Sequence, residues 1–165
     1  MSKVGFIGLG IMGKPMAKNL LNAGIDLMVC DLNEQAVKEV VERGAQAASY
    51  REIGEKCDIV FLILPNGDIS KSVLFDEDGV AQTLTAGKVV CDMSSVTPVE
   101  SKECFEGLAK IGVGFVDSPV SGGEPGAVNG TLAFMAGGRQ EDFDKLMTEL
   151  GEDPGAKAQP EGYLF

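Results

Sequence analysis

The stretch that most constrains this chain is its opening. An apolar run over residues 3–8 passes through Gly8-Leu9-Gly10-Ile11-Met12-Gly13 into a segment with helical periodicity. Over residues 11–23, Met12, Met16, Leu20 and Ala23 fall on one helical face, and Gly24 stands where a helix stops. Pro15 lies in the first turn, where its missing N–H leaves nothing unpaired. The first residues therefore predict a strand, a glycine turn and a helix in direct succession.

The alternation continues. Residues 27–30 read as a strand and 34–42 as a helix stopped at Gly44. Residues 46–48 read as a short strand and 51–56 as a brief helix. Residues 58–64 (DIVFLIL) are almost wholly apolar, as a strand covered on both faces requires, and end at Pro65-Asn66-Gly67. Helices are predicted at 69–75, 98–110 and 141–150, and strands at 88–92, 115–117 and 131–136. Repeated β-then-α units imply right-handed crossovers. The expected fold is α/β: a Rossmann-like, doubly wound, mostly parallel sheet with helices on both faces. Residues 1–150 form the expected domain. Residues 151–165 (GEDPGAKAQPEGYLF) are rich in Gly, Pro and charge, lack any period, and read as a solvated, flexible tail.

Composition removes whole classes of function. The 165 residues carry 14 Lys and Arg against 25 Asp and Glu, a net charge of −11, which repels nucleic acid and anionic membranes. There is no histidine, so Ser-His-Asp and Cys-His nucleophiles, histidine metal sites and histidine switches are excluded. No run approaches the roughly 18 apolar residues of a membrane span, and the first apolar run is too short for a signal peptide. Cys30, Cys57, Cys91 and Cys104 have no metal-ligand spacing and read as reduced, structural thiols. A cytoplasmic location is the expectation.

A glycine triplet after a strand and before a helix has a mechanism. Gly8 permits the sharp turn, Gly10 lets a pyrophosphate approach the backbone, and Gly13 lets helix and strand pack closely. The free N–H groups of the helix then hold the anion. Asp31 ends the second strand, where a carboxylate accepts hydrogen bonds from the adenosine ribose. No basic residue follows it, which favours NAD(H) and leaves NADP(H) open. The alternative role for Asp31 is to cap the helix at Glu34. In open α/β sheets ligands lie beyond the carboxyl ends of the strands. Pro65 and Asn66 are placed to flank the cofactor there. Ser94, Ser95 and Thr97 offer hydroxyls near a nicotinamide ribose, and Ser121, Gly122 and Gly123 a hydroxyl and close amides for a substrate carboxylate. Thr97, followed by Pro98 and Glu100, also forms a capping box. A plain turn is the alternative at Ser121–Gly123.

Five segments carry a resemblance: GFIGLGIMGKPMAKNLLNAG from Gly5, LPN from Leu64, DMSSVTP from Asp92, DSPVSGGEPGA from Asp117 and GTLAFMAGG from Gly130. Together they resemble the 3-hydroxyisobutyrate dehydrogenase family of β-hydroxyacid dehydrogenases. Within it they are most similar to the tartronate semialdehyde (2-hydroxy-3-oxopropionate) reductases. The resemblance runs in order over about residues 3–150.

The resemblance implies hydride transfer between NAD(P) and a small 3-hydroxy or 3-oxo acid, such as glycerate and tartronate semialdehyde. It assigns Gly8, Leu9, Gly10, Ile11, Met12 and Gly13 to the pyrophosphate loop and Asp31 to the ribose. Leu64 and Pro65 go to the adenosine side, Ser95 to the cofactor, and Ser121, Gly122 and Gly123 to the substrate carboxylate. Family members continue into an all-helical domain with a catalytic lysine, which is absent from this sequence. No catalytic residue is therefore assigned. The expectation is a cofactor-binding half that binds NAD and is catalytically weak alone, and that self-associates through exposed apolar surface. Nucleic acid and membrane are not expected partners. The alternatives are a non-catalytic dinucleotide-binding module, and a 3-hydroxyisobutyrate or 6-phosphogluconate-type NADP-linked dehydrogenase.

Overall fold

A computed structural model of the protein describes residues 3–149; the segment expected as a tail lies outside them. The elements in chain order are β1 (Val4–Ile7), α1 (Gly13–Asn22), β2 (Leu27–Cys30), α2 (Glu34–Val41), β3 (Gln46–Ala47), α3 (Tyr50–Lys56) and β4 (Ile59–Leu62). There follow α4 (Gly67–Phe75), a 3₁₀ turn (Val80–Gln82), β5 (Val89–Asp92), α5 (Pro98–Ala109) and β6 (Gly114–Asp117). The last are β7 (Val120–Ser121), α6 (Gly123–Asn129), β8 (Ala133–Phe134), β9 (Gly137–Gly138) and α7 (Gln140–Glu149).

The main sheet has the order β3-β2-β1-β4-β5-β6-β9. Its first six strands are parallel, and β9 is antiparallel at the edge. Successive strand residues feed two different cores, as pleating demands. Val4 and Phe6, Val29, Phe61, Cys91 and Val116 pack under α1, α2, α6 and α7. Ile7, Met28, Val60, Leu62, Val90 and Phe115 pack under α3, α4 and α5. Every residue of β1, β4 and β5 is buried. Burial of each large apolar side chain contributes about 1.5–3 kcal/mol. The doubly wound α/β fold expected from the sequence is the fold observed.

The C-terminal third departs from expectation. The strand expected over 131–136 is only Ala133–Phe134, and it pairs antiparallel with β7 in a separate two-stranded ladder. The seventh position in the main sheet goes to Gly137–Gly138. Helix α6 was not expected; Pro125 lies in its first turn, where a missing N–H leaves nothing unpaired, while Gly126 is a poor helix former. The glycine packs closely, since a Cβ at 126 would lie 3.0 Å from the Leu132 side chain, which would have to give by a few tenths of an ångström. Gly130, at φ 68°, then ends the helix in the left-handed region that glycine tolerates.

Candidate functional site

The strand order reverses between β1 and β4, so the loops leaving these two strands turn to opposite sides and open a crevice. Gly8 sits on its wall at φ 105°, and any Cβ there would strike the Ile63 carbonyl oxygen. A Cβ at Gly13 would strike the carbonyl oxygen of Gly8, so helix and strand lie as close as the backbone allows. Nothing lies within 4 Å of where a Gly10 Cβ would be, which leaves an open approach to the backbone. No side chain caps α1, and Lys14 N–H bonds back to the Gly10 carbonyl at 3.1 Å. The first-turn amides and the positive end of the helix dipole thus face this opening without a side-chain acceptor. The residues fit a diphosphate.

Asp31 carries the crevice onward. Its carboxylate accepts from Leu9 N–H at 2.6 Å and from Asn33 N–H at 2.7 Å, pinning the glycine loop to the end of β2. It does not cap α2. Asn33 does, accepting from the amides of Gln35 and Ala36 at 3.1 and 3.2 Å. Each Asp31 oxygen keeps a second lone pair for a ribose hydroxyl. Beyond it lies a cleft of about 570 Å³ walled by Leu32, Tyr50, Leu64, Pro65, Ile69 and Val73 and rimmed by Asp76, Glu77 and Asp78. Leu32, an apolar side chain, is 92% exposed at its mouth. Burial raises the Tyr50 phenol above its ordinary range, with Cys30 and Asp31 adding to the rise, so Tyr50 stays neutral here. Leu32, Tyr50, Ile69 and the acidic rim carry no sequence signal of their own. They are found only because α3 and α4 meet the end of β2.

The third loop, at the end of β5, divides its serines. Ser94 is buried. Its hydroxyl accepts from Leu64 N–H at 2.8 Å and lies 3.3 Å from the Ser70 hydroxyl, and its own N–H donates to Asp92 Oδ1 at 2.9 Å. Ser94 is thus occupied in holding the Leu64–Pro65 loop and is not free for a ribose. Ser95 is exposed, as a cofactor contact requires. Thr97 forms the expected capping box on α5: its hydroxyl accepts from Glu100 N–H at 3.2 Å, and its N–H donates to Glu100 Oε1 at 2.9 Å.

The fourth loop brings Ser121 to the exposed end of β7 and turns through Gly122 (φ 135°) and Gly123 (φ 59°) into α6. Helix α6 lies beside α1. Asn19 donates from Nδ2 to the Ala127 carbonyl at 2.7 Å, and Glu124 and Val128 line a cleft with Gly10 and Ile11. The serine-glycine loop is therefore neighbour to the glycine loop, though the two are more than a hundred residues apart in sequence. All four cysteines are free thiols, and none is within the crevice's lining.

The family description that matches, over residues 3–153, reads "NAD binding domain of 6-phosphogluconate dehydrogenase". The chain belongs to that family. Among curated relatives it is 43% identical over 155 residues to 2-(hydroxymethyl)glutarate dehydrogenase of Eubacterium barkeri, covering 92% of this chain and 52% of that protein. It is 41% identical over 145 residues to 2-hydroxy-3-oxopropionate reductase of Escherichia coli K12, covering 87% and 49%. A solved structure of Mycobacterium tuberculosis 3-hydroxyisobutyrate dehydrogenase with L-serine superimposes with a TM-score of 0.85 at 30% identity, covering 91% of this chain and 51% of that one. The chain spans about half the length of the curated relatives it matches. Members of the 3-hydroxyisobutyrate dehydrogenase family are thus its relatives, as the five segments implied. Among the described residues, no helix is long and apolar enough to cross a membrane.

Proposed function

We propose that this chain is the coenzyme-binding half of an NAD-dependent β-hydroxyacid dehydrogenase. The observation that carries the reading is the uncapped start of α1, facing open space at Gly10 and tied through Leu9 to Asp31. In this reading the α1 amides hold the diphosphate and Asp31 the adenosine ribose. Leu64 and Pro65, with Leu32 and Ile69, cover the adenine, and Ser95 contacts the nicotinamide side. Ser121, Gly122 and Gly123 bind the carboxylate of a small 3-hydroxy or 3-oxo acid at the start of α6. The nicotinamide, when bound, accepts or donates the hydride; the protein supplies position and electrostatics. Tartronate semialdehyde is the substrate the reading favours, on the five matching segments.

NAD(H) is favoured over NADP(H). Asp31 occupies the ribose end, and Asp76, Glu77 and Asp78 rim the same cleft, so a 2′-phosphate would enter a field of carboxylates. Fluorescence titration of the 165-residue polypeptide with NADH and NADPH tests this. The expected result is binding of NADH with NADPH at least about tenfold weaker, the effect of one lost or opposed charged contact. Tighter NADPH binding refutes the cofactor assignment, and no binding of either refutes the reading altogether. The same polypeptide is expected to turn over substrate feebly. A missing general acid alone removes roughly 10²–10⁴-fold of rate, and no lysine of this chain matches the one the family uses.

A further inference from the structure

Asp92 and Asp117 are register partners on adjacent parallel strands β5 and β6. Such neighbours lie about 4.8 Å apart, with side chains on the same face. The face is the one under α4 and α5. Asp92 is completely buried, and its Oδ2 has no hydrogen-bond partner. Asp117 Oδ1 is also buried and without a partner. None of the ion pairs among the described residues includes either residue. From α4 the facing groups are Ser70 and Lys71, whose ammonium is engaged by Glu103 at 2.8 Å and Asp68 at 3.6 Å. From α5 they are Ser101 and Cys104, with Glu100 and Glu103 further out. Among the described residues no ion pair compensates the buried Asp92 or the half-buried Asp117. Ionising Asp92 as well as its half-buried neighbour therefore carries a penalty from burial and from like-charge repulsion.

We propose that Asp92 and Asp117 share a single proton, forming an acid–carboxylate clasp that locks the cofactor-side loop after β5 against the substrate-side loop after β6. A proton between Asp92 Oδ2 and Asp117 Oδ1 satisfies both orphaned atoms at once. The other Asp92 oxygen is then free to accept from Ser94 N–H, and Ser94 in turn holds the amide of Leu64. On the other strand the chain runs from Asp117 directly into the loop that carries Ser121. The two aspartates are positioning residues, each acting through the loop it precedes. Burial pushes both carboxyls above the ordinary range. Hydrogen bonds from Ser94 and Ser70 oppose the rise for Asp92, and one from Ser101 opposes it for Asp117, to which the Asp92 charge adds a further increase. The folded pair keeps its shared proton to higher pH than an unfolded aspartate, whose ordinary value is about 3.9, so the clasp's contribution to stability is lost as pH rises and that proton leaves.

Infrared spectroscopy and Asp ¹³Cγ NMR of the unliganded 165-residue chain test the clasp without reference to any coenzyme. At neutral pH the wild type is expected to show one neutral-carboxyl signal, absent from both Asp92→Asn and Asp117→Asn. Its absence from the wild type overturns the proposal. So does its survival in either variant, which would place the proton on one aspartate alone. Should a variant fail to fold, the wild-type spectrum still decides whether a proton is present. Its titration then separates a coupled pair, which releases its protons in two steps, from a lone acid, which releases one in a single step and overturns the sharing. Asp92→Asn keeps a hydrogen bond and is expected to retain the folding constant at neutral pH within a few-fold. Asp92→Ala orphans its partners and lowers that constant at least about tenfold. Equal losses in the two variants overturn the clasp.

Discussion

A single methyl group at position 13 would collide with the Gly8 carbonyl oxygen. Gly13→Ala therefore forces α1 away from β1. The expected result is a loss of about 1–3 kcal/mol in chemical denaturation, together with abolished NADH fluorescence enhancement. Asp31→Ala acts differently. It removes the acceptor for the Leu9 and Asn33 amides and the ribose ligand together. NADH affinity is expected to fall about tenfold or more while NADPH affinity changes little, because a repelling charge leaves with the attracting one. A discrimination unchanged in that variant would remove Asp31 from the specificity of the site. The cysteines offer a separate check. Burial pushes Cys30 up to about 11 and Cys57 and Cys104 up to about 12. At pH 8 none of these thiols is expected to react quickly with a disulfide reagent until the chain is unfolded.

At the level of elements, caps hold the site's helices in place. The Thr97–Glu100 box starts α5, and Asn66 starts α4 by accepting from Ile69 N–H at 3.0 Å. Thr97→Ala is expected to lower stability by about 1 kcal/mol, measured by thermal unfolding, with NADH binding preserved. Asn19 ties α1 to the carbonyl end of α6. Asn19→Ala is expected to speed amide exchange across α6 and leave that of α2 unchanged; uniform protection in both helices would dismiss the tie. The glycine spacing, the apolar run of β4 and the Thr97 box could be read from the residues because each depends on local chemistry. Helix α6 could not, since its close packing against Leu132 at Gly126 appears only once the chain is folded. The occupation of the Ser94 hydroxyl by Leu64 was hidden for the same reason. It needs β4 and β5 side by side. The alternative of a capping Asp31 fails because Asp31 is held by the amide of Leu9, 22 residues away, and Asn33 caps α2 instead. That Asp92 and Asp117 are neighbours likewise depends on the register between β5 and β6.

Across the whole molecule, apolar surface and charge work against each other. Ile11, Val99, Val128 and Met135 are more than half exposed, and a cavity of about 220 Å³ opens between α1 and α6 over Phe6, Phe61 and Met93. Self-association is the expected outcome, checked by sedimentation over a range of concentrations. A net charge of −11 opposes it, so added salt is expected to strengthen the association, and a monomer under all conditions refutes it. The form such assemblies take is constrained by the margins of the main sheet. Both outer strands, Gln46–Ala47 and Gly137–Gly138, are only two residues long. So short a ribbon presents almost no row of open peptide groups for another chain to extend. Copies of this protein should therefore meet through side chains and form dispersible, dye-negative oligomers, not fibrils built by strand-to-strand growth.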